Sequence, residues 1–298
     1  TKVRIEDEKV VRIGKTLEEY DAFDTGSFVC SPAVFAALEQ SIAERGDSSL
    51  SGGIQVLAGQ GKVSTFDVGG SFWIDVDDAR DLEAAERSLL AQLKKPADGP
   101  VSRYLNRPLS TRISRWLVKS SVTPNQISLF CFLVSVIAAF VFTLEGYWAL
   151  LAGGVLAQFA SIVDGCDGEV ARLKFWESDF GGWFDAVLDR YGDGFLLGGL
   201  TWHAFAASGT EQPLFLLVGF LAIIGSFVNS YTADKYDRLM KAKFSKGPGI
   251  RIGRDVRIFL VFLGAVCNLP LLTLLVLAVL MNLENIRRIV VCYRNEHH

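Results

Sequence analysis

Cysteine is scarce in this chain and follows no pattern: Cys30, Cys131, Cys166, Cys267 and Cys292 are odd in number and widely scattered. That excludes a disulfide framework and a thiolate metal site of the usual short spacing, and leaves reduced thiols as the expectation. Histidine is rarer still. Of three residues, only His203 falls inside an apolar stretch, where it reads as an interfacial side chain, and His297-His298 look like a tag remnant. No secretory leader is visible at the first residues. Lysine and arginine are missing from three short connections, around Glu145, Gly209-Thr210-Glu211 and Asn268-Leu269-Pro270.

What is present divides in two. Residues 1–99 carry 11 basic against 18 acidic side chains, a net of −7, whereas residues 100–298 carry 19 against 15, a net of +4. With 298 residues there is room for two domains. The second part contains apolar stretches at about 127–145, 148–165, 182–206, 213–233, 255–268 and 270–290, most of them long enough to cross a hydrocarbon core of roughly 30 Å, the fifth being short. Arg103, Arg107, Arg112, Arg115 and Lys119 precede the first stretch, and Arg172 and Lys174 follow the second. Lys235, Arg238, Lys241, Lys243, Lys246, Arg251, Arg254 and Arg257 lie between the fourth and fifth, and Arg287, Arg288 and Arg294 follow the sixth. All these connections alternate with the three that lack basic residues, so six spans with both termini on the cytoplasmic side are expected.

Residues 101–120 read as an amphipathic juxtamembrane stretch, with Leu105, Leu109, Ile113, Trp116 and Leu117 at helical spacing and arginines on the other faces. It is either a helix lying in the headgroup plane or a plain linker helix. Thr123-Pro124-Asn125-Gln126 then reads as a helix start, with Thr123 as cap and Pro124 in the first turn.

The chemistry concentrates between Asp164 and Asp189. The order is Asp164-Gly-Cys-Asp167-Gly168-x-x-Ala171-Arg172, eight residues, then Gly181-x-x-x-Asp185-x-x-x-Asp189. Asp164 and Asp167 are spaced i, i+3, and Asp185 and Asp189 are spaced i, i+4, so each pair shares a helix face. Two such helices lying antiparallel would bring all four carboxylates to one point. Charged groups at membrane depth are costly and mark function. Hard oxygen donors in this number suit Mg2+, Mn2+ or Ca2+. An EF-hand loop is excluded, because Cys166 and Phe175 stand where its ligands belong. Gly168 and Gly181, without Cβ atoms, let a ligand or backbone come close.

These residues resemble the signature of the CDP-alcohol phosphotransferases, with all eight signature positions filled, and the resemblance extends over about residues 100–294. It implies a mainly α protein: a six-transmembrane-helix bundle (residues 122–298) after an amphipathic juxtamembrane helix (100–121), assembled as a homodimer in the bilayer. It also implies transfer of a phosphoryl-alcohol from a CDP-alcohol donor to the hydroxyl of an acceptor, with no nucleic acid involved. A donor diphosphate repels four carboxylates unless cations intervene, so two divalent ions, Mg2+ or Mn2+, are expected. Asp164, Asp167 and Asp185 are the assigned ligands. By the family's pattern Asp189 is the general base, with its share in metal binding left open. Gly168, Ala171, Arg172, Gly181 and Asn125 are the candidate donor-contacting positions. Arg172 reads either as a nucleotide contact or, with equal weight, as a structural charge, whether a positive-inside anchor or the ion-pair partner of an acid such as Glu169. Asp193 extends the acidic face and reads as a supporting or packing residue. Arg254 and Arg257, with Lys235 and Arg238, are candidates for the phosphate of the acceptor, since the arginine fork fits phosphate well.

Residues 1–99 combine apolar runs around 26–30, 54–58, 63–68 and 71–76 with helical patterns at 32–45 and 78–94, which suggests a small α/β domain. The strings Phe23-Asp24-Thr25-Gly26-Ser27-Phe28-Val29 and Phe72-Trp73-Ile74-Asp75-Val76-Asp77 resemble the later half of a sugar nucleotidyltransferase, in which Asp75 would be a metal ligand and Asp24 would lie near the sugar. The glycine-rich nucleotide loop of that family is absent from this sequence, which implies a fragment or a non-catalytic remnant. The combination resembles bifunctional enzymes that make CDP-inositol and join it to a second inositol phosphate. Phospholipid synthesis from CDP-diacylglycerol and inositol or glycerol phosphate is the close alternative. From other classes, an ion-coupled transporter would also place acids in the membrane, although no internal repeat is evident, and a membrane-anchored binding module would leave the four aspartates unexplained.

Overall fold

The computed structural model describes residues 1–93, 98–208, 212–243 and 252–296; the side chains of 234, 235, 237–243, 295 and 296 fall outside the description. Two compact units, Thr1–Arg87 and Ser88–His298, divide inside a helix, ahead of the composition change near residue 99.

In the first unit, β1 (Lys2–Glu6) and β2 (Lys9–Gly14) form an antiparallel hairpin, and β3 (Ala22–Phe23) lies on the other side of β1. Register runs from Lys2 opposite Gly14 to Glu6 opposite Lys9. The two-residue turn, Asp7-Glu8, has φ of 48° and 61°. This is the double left-handed geometry of a tight hairpin, reached without the usual Asn-Gly. The hairpin is absent from the strand expectation for that reason. Helices α1 (Ala33–Arg45) and α3 (Ala79–Gln92) coincide with the two expected helical patterns. The run at 54–58, expected among the strands, is instead part of α2 (Leu50–Gly59), which Ser49 caps by accepting from the Gly52 N–H. Short apolar runs fit either element, and here a cap decides. The runs at 26–30, 63–68 and 71–76 form no strand, apart from one bridge between Lys9 and Ser64. Val3, Val10, Ile13, Val34, Ile54 and Ala58 form the core.

The second unit is helical. One π turn (Ser102–Asn106) leads into α4 (Arg107–Leu117). Then follow α5 (Pro124–Phe142), α6 (Tyr147–Leu173), α7 (Asp179–Ala207), α8 (Pro213–Lys243), α9 (Arg254–Val266) and α10 (Pro270–Glu296). A helix stands at each of the six expected stretches, and α5, α6 and the Pro213–Ala233 part of α8 are long and apolar enough to cross a membrane. The expected connection at 209–211 lies outside the described residues.

The outer face of this unit is apolar, and several polar side chains are buried. Phe130, Leu133, Ile137 and Phe140 of α5, Leu217 and Phe220 of α8, and Leu272, Leu275 and Leu283 of α10 are exposed. Buried instead are Ser135, Gln158, Asp193, Asn229, Arg257 and Asn285. An apolar exterior, with polar side chains kept inside beside an apolar core, is what a lipid environment selects. The apolar core runs through Phe142, Leu150, Leu196, Leu200, Val261, Leu274 and Leu277.

The two helices bearing the signature are not packed face to face. Each lies along α5, and they touch one another only slightly; α9 packs on α6, and α8 packs on α7 and α10. The antiparallel pair expected from spacing is thus a three-helix arrangement with α5 as the spacer. Close approach of α7 to α5 depends on Gly199, where a Cβ would run into the carbonyl oxygen of Ala139.

Candidate active site

Local helix chemistry sets the four aspartates. Thr123 starts α5 with a reciprocal capping box: its Oγ1 accepts from the Gln126 N–H and the Gln126 Oε1 accepts from the Thr123 N–H. Ser178 starts α7, its Oγ accepting from the Gly181 N–H at 3.0 Å. Gly181 is therefore a first-turn residue of α7, and the Asn125 Oδ1 sits 3.3 Å from where its Cβ would be. Asp185 and Asp189 follow one turn apart on α7, while α6 continues past its apolar part to carry Asp164 and Asp167.

Carboxylate oxygens of Asp164, Asp185 and Asp189 all lie within 4.8 Å of one another. Asp167 stands one turn from Asp164 on α6. Its Oδ2 accepts from the Ser128 hydroxyl of α5 at 2.6 Å, and its Oδ1 accepts from the Gly168 N–H. Three of the four signature acids therefore converge, and Asp167 is held next to Asp164 by its bond from Ser128.

Arg254, in the first turn of α9, closes the other side. Its Nη1 lies 2.9 Å from Asp164 Oδ2 and 2.8 Å from Asp189 Oδ1, and its Nε donates to Asp193 Oδ1 at 2.9 Å. Asp193 is 3% exposed and also accepts from Arg257 Nη2 at 3.0 Å. Arg257 donates further to the Ser226 carbonyl and the Ser230 hydroxyl, and its Nε is buried with no partner among the described residues. Asp193 is thus the bracket that holds both arginines. Arg190 pairs with Asp189 at 3.5 Å. Five carboxylates against three guanidiniums leave a local excess of about two negative charges in a poorly solvated place, and oxygen donors with that excess fit divalent cations.

Of the other expected positions, Ala171 is buried and its carbonyl accepts from the Trp176 N–H at 2.8 Å, which shapes the turn between the two halves of the signature. Gly168 leaves room for the Arg172 guanidinium, whose Nη1 lies 3.2 Å from the site of a Cβ. Arg172 Nε and Nη2 are buried without hydrogen-bond partners among the described residues. Glu169 is not the partner of Arg172: it accepts from Arg107 Nη1, Ser110 Oγ and Ser114 Oγ, each at 2.7 Å. The ion-pair reading of Arg172 is corrected accordingly. Side chains of Lys235 and Arg238 lie outside the described residues, as do Lys241, Lys243, Lys246, Arg251 and the His297-His298 pair. In the first unit, Trp73 Nε1 donates to the Thr25 carbonyl at 3.1 Å, so the strings around Asp24 and Asp75 meet, with Asp75 exposed.

A cavity of about 370 Å³ opens beside Asp164 and Asp189, with Arg190, Asn229, Arg254, Arg257 and Arg288 among its lining. Arg288 and Asn229 carried no signal by spacing. Both belong to helices whose polar residues are visible only once α8 and α10 pack together, where Arg288 Nη1 donates to the Asn229 carbonyl at 2.8 Å.

The family model described as CDP-alcohol phosphatidyltransferase matches residues 121–293, which include every signature position. The chain belongs to this family. A "Bifunctional IPC transferase and DIPP synthase" from Aquifex aeolicus is 35% identical over 306 residues, covering 99% of this chain and 67% of its own length. A protein of the same name from Thermococcus kodakarensis is 39% identical over 269 residues, covering 88% of this chain and 59% of its own length. The chain thus spans roughly three fifths to two thirds of these relatives. Phosphatidylinositol phosphate synthase of Mycobacterium tuberculosis, solved with manganese and citrate, superposes with a TM-score of 0.51 at 26% identity, over 62% of this chain and 88% of that one. The same enzyme with CDP-DAG bound gives a TM-score of 0.51 at 24% identity, over 62% of this chain and 94% of that one. As a family member, the chain is a transferase with a membrane-associated helical domain.

Proposed function

We propose that this chain transfers an inositol-phosphoryl group from CDP-inositol to a hydroxyl of a phosphorylated inositol and releases CMP. The observation that carries this reading is the convergence of Asp164, Asp185 and Asp189 at the edge of a cavity lined by Arg254, Arg257 and Arg288. Asp164, Asp167, Asp185 and Asp189 are the residues that would hold two divalent ions, Mg2+ or Mn2+. When bound, such ions neutralise the donor diphosphate and polarise its β-phosphorus.

The protein's own contribution is binding and proton handling. Asp189 faces both the cluster and the cavity, and takes the proton from the acceptor hydroxyl. That oxygen then forms its bond to the β-phosphorus as the bond to the bridging oxygen breaks, and CMP leaves with the electron pair. Asn125, Gly168, Ala171, Arg172 and Gly181 take the nucleotide side, where the unpartnered nitrogens of Arg172 await an anion. Arg257, with its unpartnered Nε, binds the phosphate of the acceptor along with Arg288, and Lys235 and Arg238 add positive charge at the end of α8. Arg254, already shared between Asp164 and Asp189, tempers the acidic cluster and lies next to the incoming phosphate.

Helices α5 to α10 form six spans, and the arginines and lysines that flank alternate connections support a site on the cytoplasmic side, in a homodimer. Residues 1–99 form a cytidylyltransferase-like part, a reading supported by the Aquifex aeolicus relative named bifunctional, whose alignment covers 99% of the chain. Use of CDP-diacylglycerol is the second reading, favoured by the likeness to a fold solved with CDP-DAG bound.

Incubation with CDP-inositol and with CDP-diacylglycerol in parallel, each with inositol 1-phosphate and Mg2+, separates the two. Metal-dependent CMP release should be faster with CDP-inositol and should fall by about three orders of magnitude in Asp189→Asn, a loss in line with removal of a general base plus a metal ligand. Dominant turnover of the lipid donor would contradict the substrate assignment. Full activity in Asp189→Asn would contradict the site.

A further inference from the structure

Glu169 occupies one of the open positions of the signature, two residues after Asp167, and is fully buried (0% exposed). Nothing in the transfer reaction uses it. Its oxygens are saturated by α4: Oε1 accepts from Arg107 Nη1 and Ser110 Oγ, and Oε2 accepts from Ser114 Oγ, all at 2.7 Å. Arg107 in turn grips Asp98 with two parallel bonds, Nε to Oδ2 at 2.9 Å and Nη2 to Oδ1 at 3.0 Å. Burial alone would lower the affinity of this guanidinium for its proton, but the bonds to Asp98 and Glu169 outweigh it and hold Arg107 more firmly charged than in water.

The same segment is fastened at two further points. Asn106 Nδ2 donates to Ser161 Oγ at 3.2 Å and its Oδ1 accepts from Gln158 Nε2 at 3.0 Å, both on α6. Asp255 of α9 accepts the Ser102 N–H at 2.8 Å. Every one of these ties is polar, whereas Leu105, Leu109 and Trp116 face outward. The segment from Asp98 to Ser110 is therefore a strap fastened by hydrogen bonds, two of them to the Glu169 carboxylate, while the rest of α4 adds the Ser114 bond and packs Ile113 and Leu117 on the apolar cluster around Val163, Cys166 and Val170.

That strap is a wall of the cavity. Asp98, Ser102, Asn106, Arg107 and Ser110 line it together with Arg257, Arg288, Asp164 and Asp189. Asp167, Asp185, Asn125, Gly168 and Gly181 do not line it. The acidic cluster thus has two sides: a nucleotide side bearing the signature glycines, and a cavity side walled by the strap.

We infer that Glu169 is a positioning residue for the acceptor: by seating the Asp98–Ser110 strap, it fixes the shape of the cavity that receives the phosphorylated polyol, without acting on the donor. This role rests on the cavity being the acceptor's. A cavity lined by a charged, hydrogen-bonded strap and two arginines selects a compact, hydroxyl-rich anion over an apolar alcohol.

The test is steady-state transfer by the full chain with Mg2+, varying inositol 1-phosphate at saturating CDP-inositol and then the reverse, in wild type, Glu169→Gln and Ser114→Ala. For Glu169→Gln the acceptor KM should rise about tenfold or more while kcat stays within about threefold and the donor KM is unchanged; Ser114→Ala, which removes one bond of the three, should move the acceptor KM the same way by a smaller factor. Arg107→Lys, which keeps the charge facing Glu169, should lie closer to wild type than Arg107→Ala. If Glu169→Gln cannot be purified folded, Ser114→Ala and the Arg107 pair carry the test alone. An unchanged acceptor KM in these variants, or parallel losses in donor and acceptor terms, would overturn the inference while leaving the transfer reaction in place. A wild type that releases no CMP with this acceptor would overturn the acceptor reading and the inference together.

Discussion

Asp193 shows how a residue outside the signature can govern it. It is buried at 3% exposure and is the shared acceptor for Arg254 and Arg257, the two arginines that bound the acidic cluster and the cavity. Removing one partner of a buried ion pair leaves uncompensated charge and costs about 3–5 kcal/mol. Asp193→Asn should therefore lower the thermal midpoint of the detergent-solubilised protein clearly, and should weaken transfer even though no substrate touches residue 193. A midpoint equal to wild type would show that Asp193 is not the bracket described. At this scale, spacing made the four aspartates, the caps at Thr123 and the supporting place of Asp193 legible. It did not reveal Glu169, Arg107, Ser110 or Ser114, because each reads as an ordinary polar residue until α4 is laid against α6. The regular run Asn106, Ser110, Ser114, four residues apart, was the available signal: a small polar face on a helix whose apolar face was already spoken for.

At the scale of elements, the site depends on α5 separating α6 from α7 at a set distance. Gly199 sets one side of that distance, since a Cβ there would collide with the Ala139 carbonyl, whereas a Cβ at the adjacent Gly198 would meet nothing within 4 Å. Gly199→Val should destabilise the bundle by about 1–3 kcal/mol or more through overpacking. Gly198→Ala should be neutral or slightly stabilising, since alanine is the better helix former by up to about 1 kcal/mol. Thermal unfolding of the pair checks this, and equal midpoints would contradict the packing described. Helix locations were legible because an apolar run of span length folds as little besides a helix. The pairing of helices was not, because lipid-facing and buried apolar residues look alike in sequence: Leu133 of α5 is exposed while its neighbour Val134 is buried. In the first unit the ambiguity ran the other way. Ile54 and Val56 fit a strand by composition, yet the Ser49 cap makes them helical, and the Asp7-Glu8 turn hides a hairpin that Asn-Gly would have announced.

At the scale of the helical unit as a whole, exposed Phe, Leu and Ile side chains surround an apolar core and a cavity lined by acids, arginines and amides beside the signature cluster. A lipid environment fits the exterior, and the proposed transfer between two anionic substrates fits the charged lining of the cavity. The net of +4 on residues 100–298 agrees with such substrates and with an anionic membrane surface. Central to this account is the binding of divalent cations by the converging carboxylates. The most direct measurement is titration of Mn2+ into the purified full chain, followed by the electron paramagnetic resonance signal of free Mn2+, for wild type and for Asp185→Asn. Wild type should remove Mn2+ from solution in a saturable way, Mg2+ should compete, and Asp185→Asn should bind at least about tenfold more weakly, as loss of a charged ligand to a hard cation requires. Saturable binding of equal strength in both proteins, or none in either, would contradict the account.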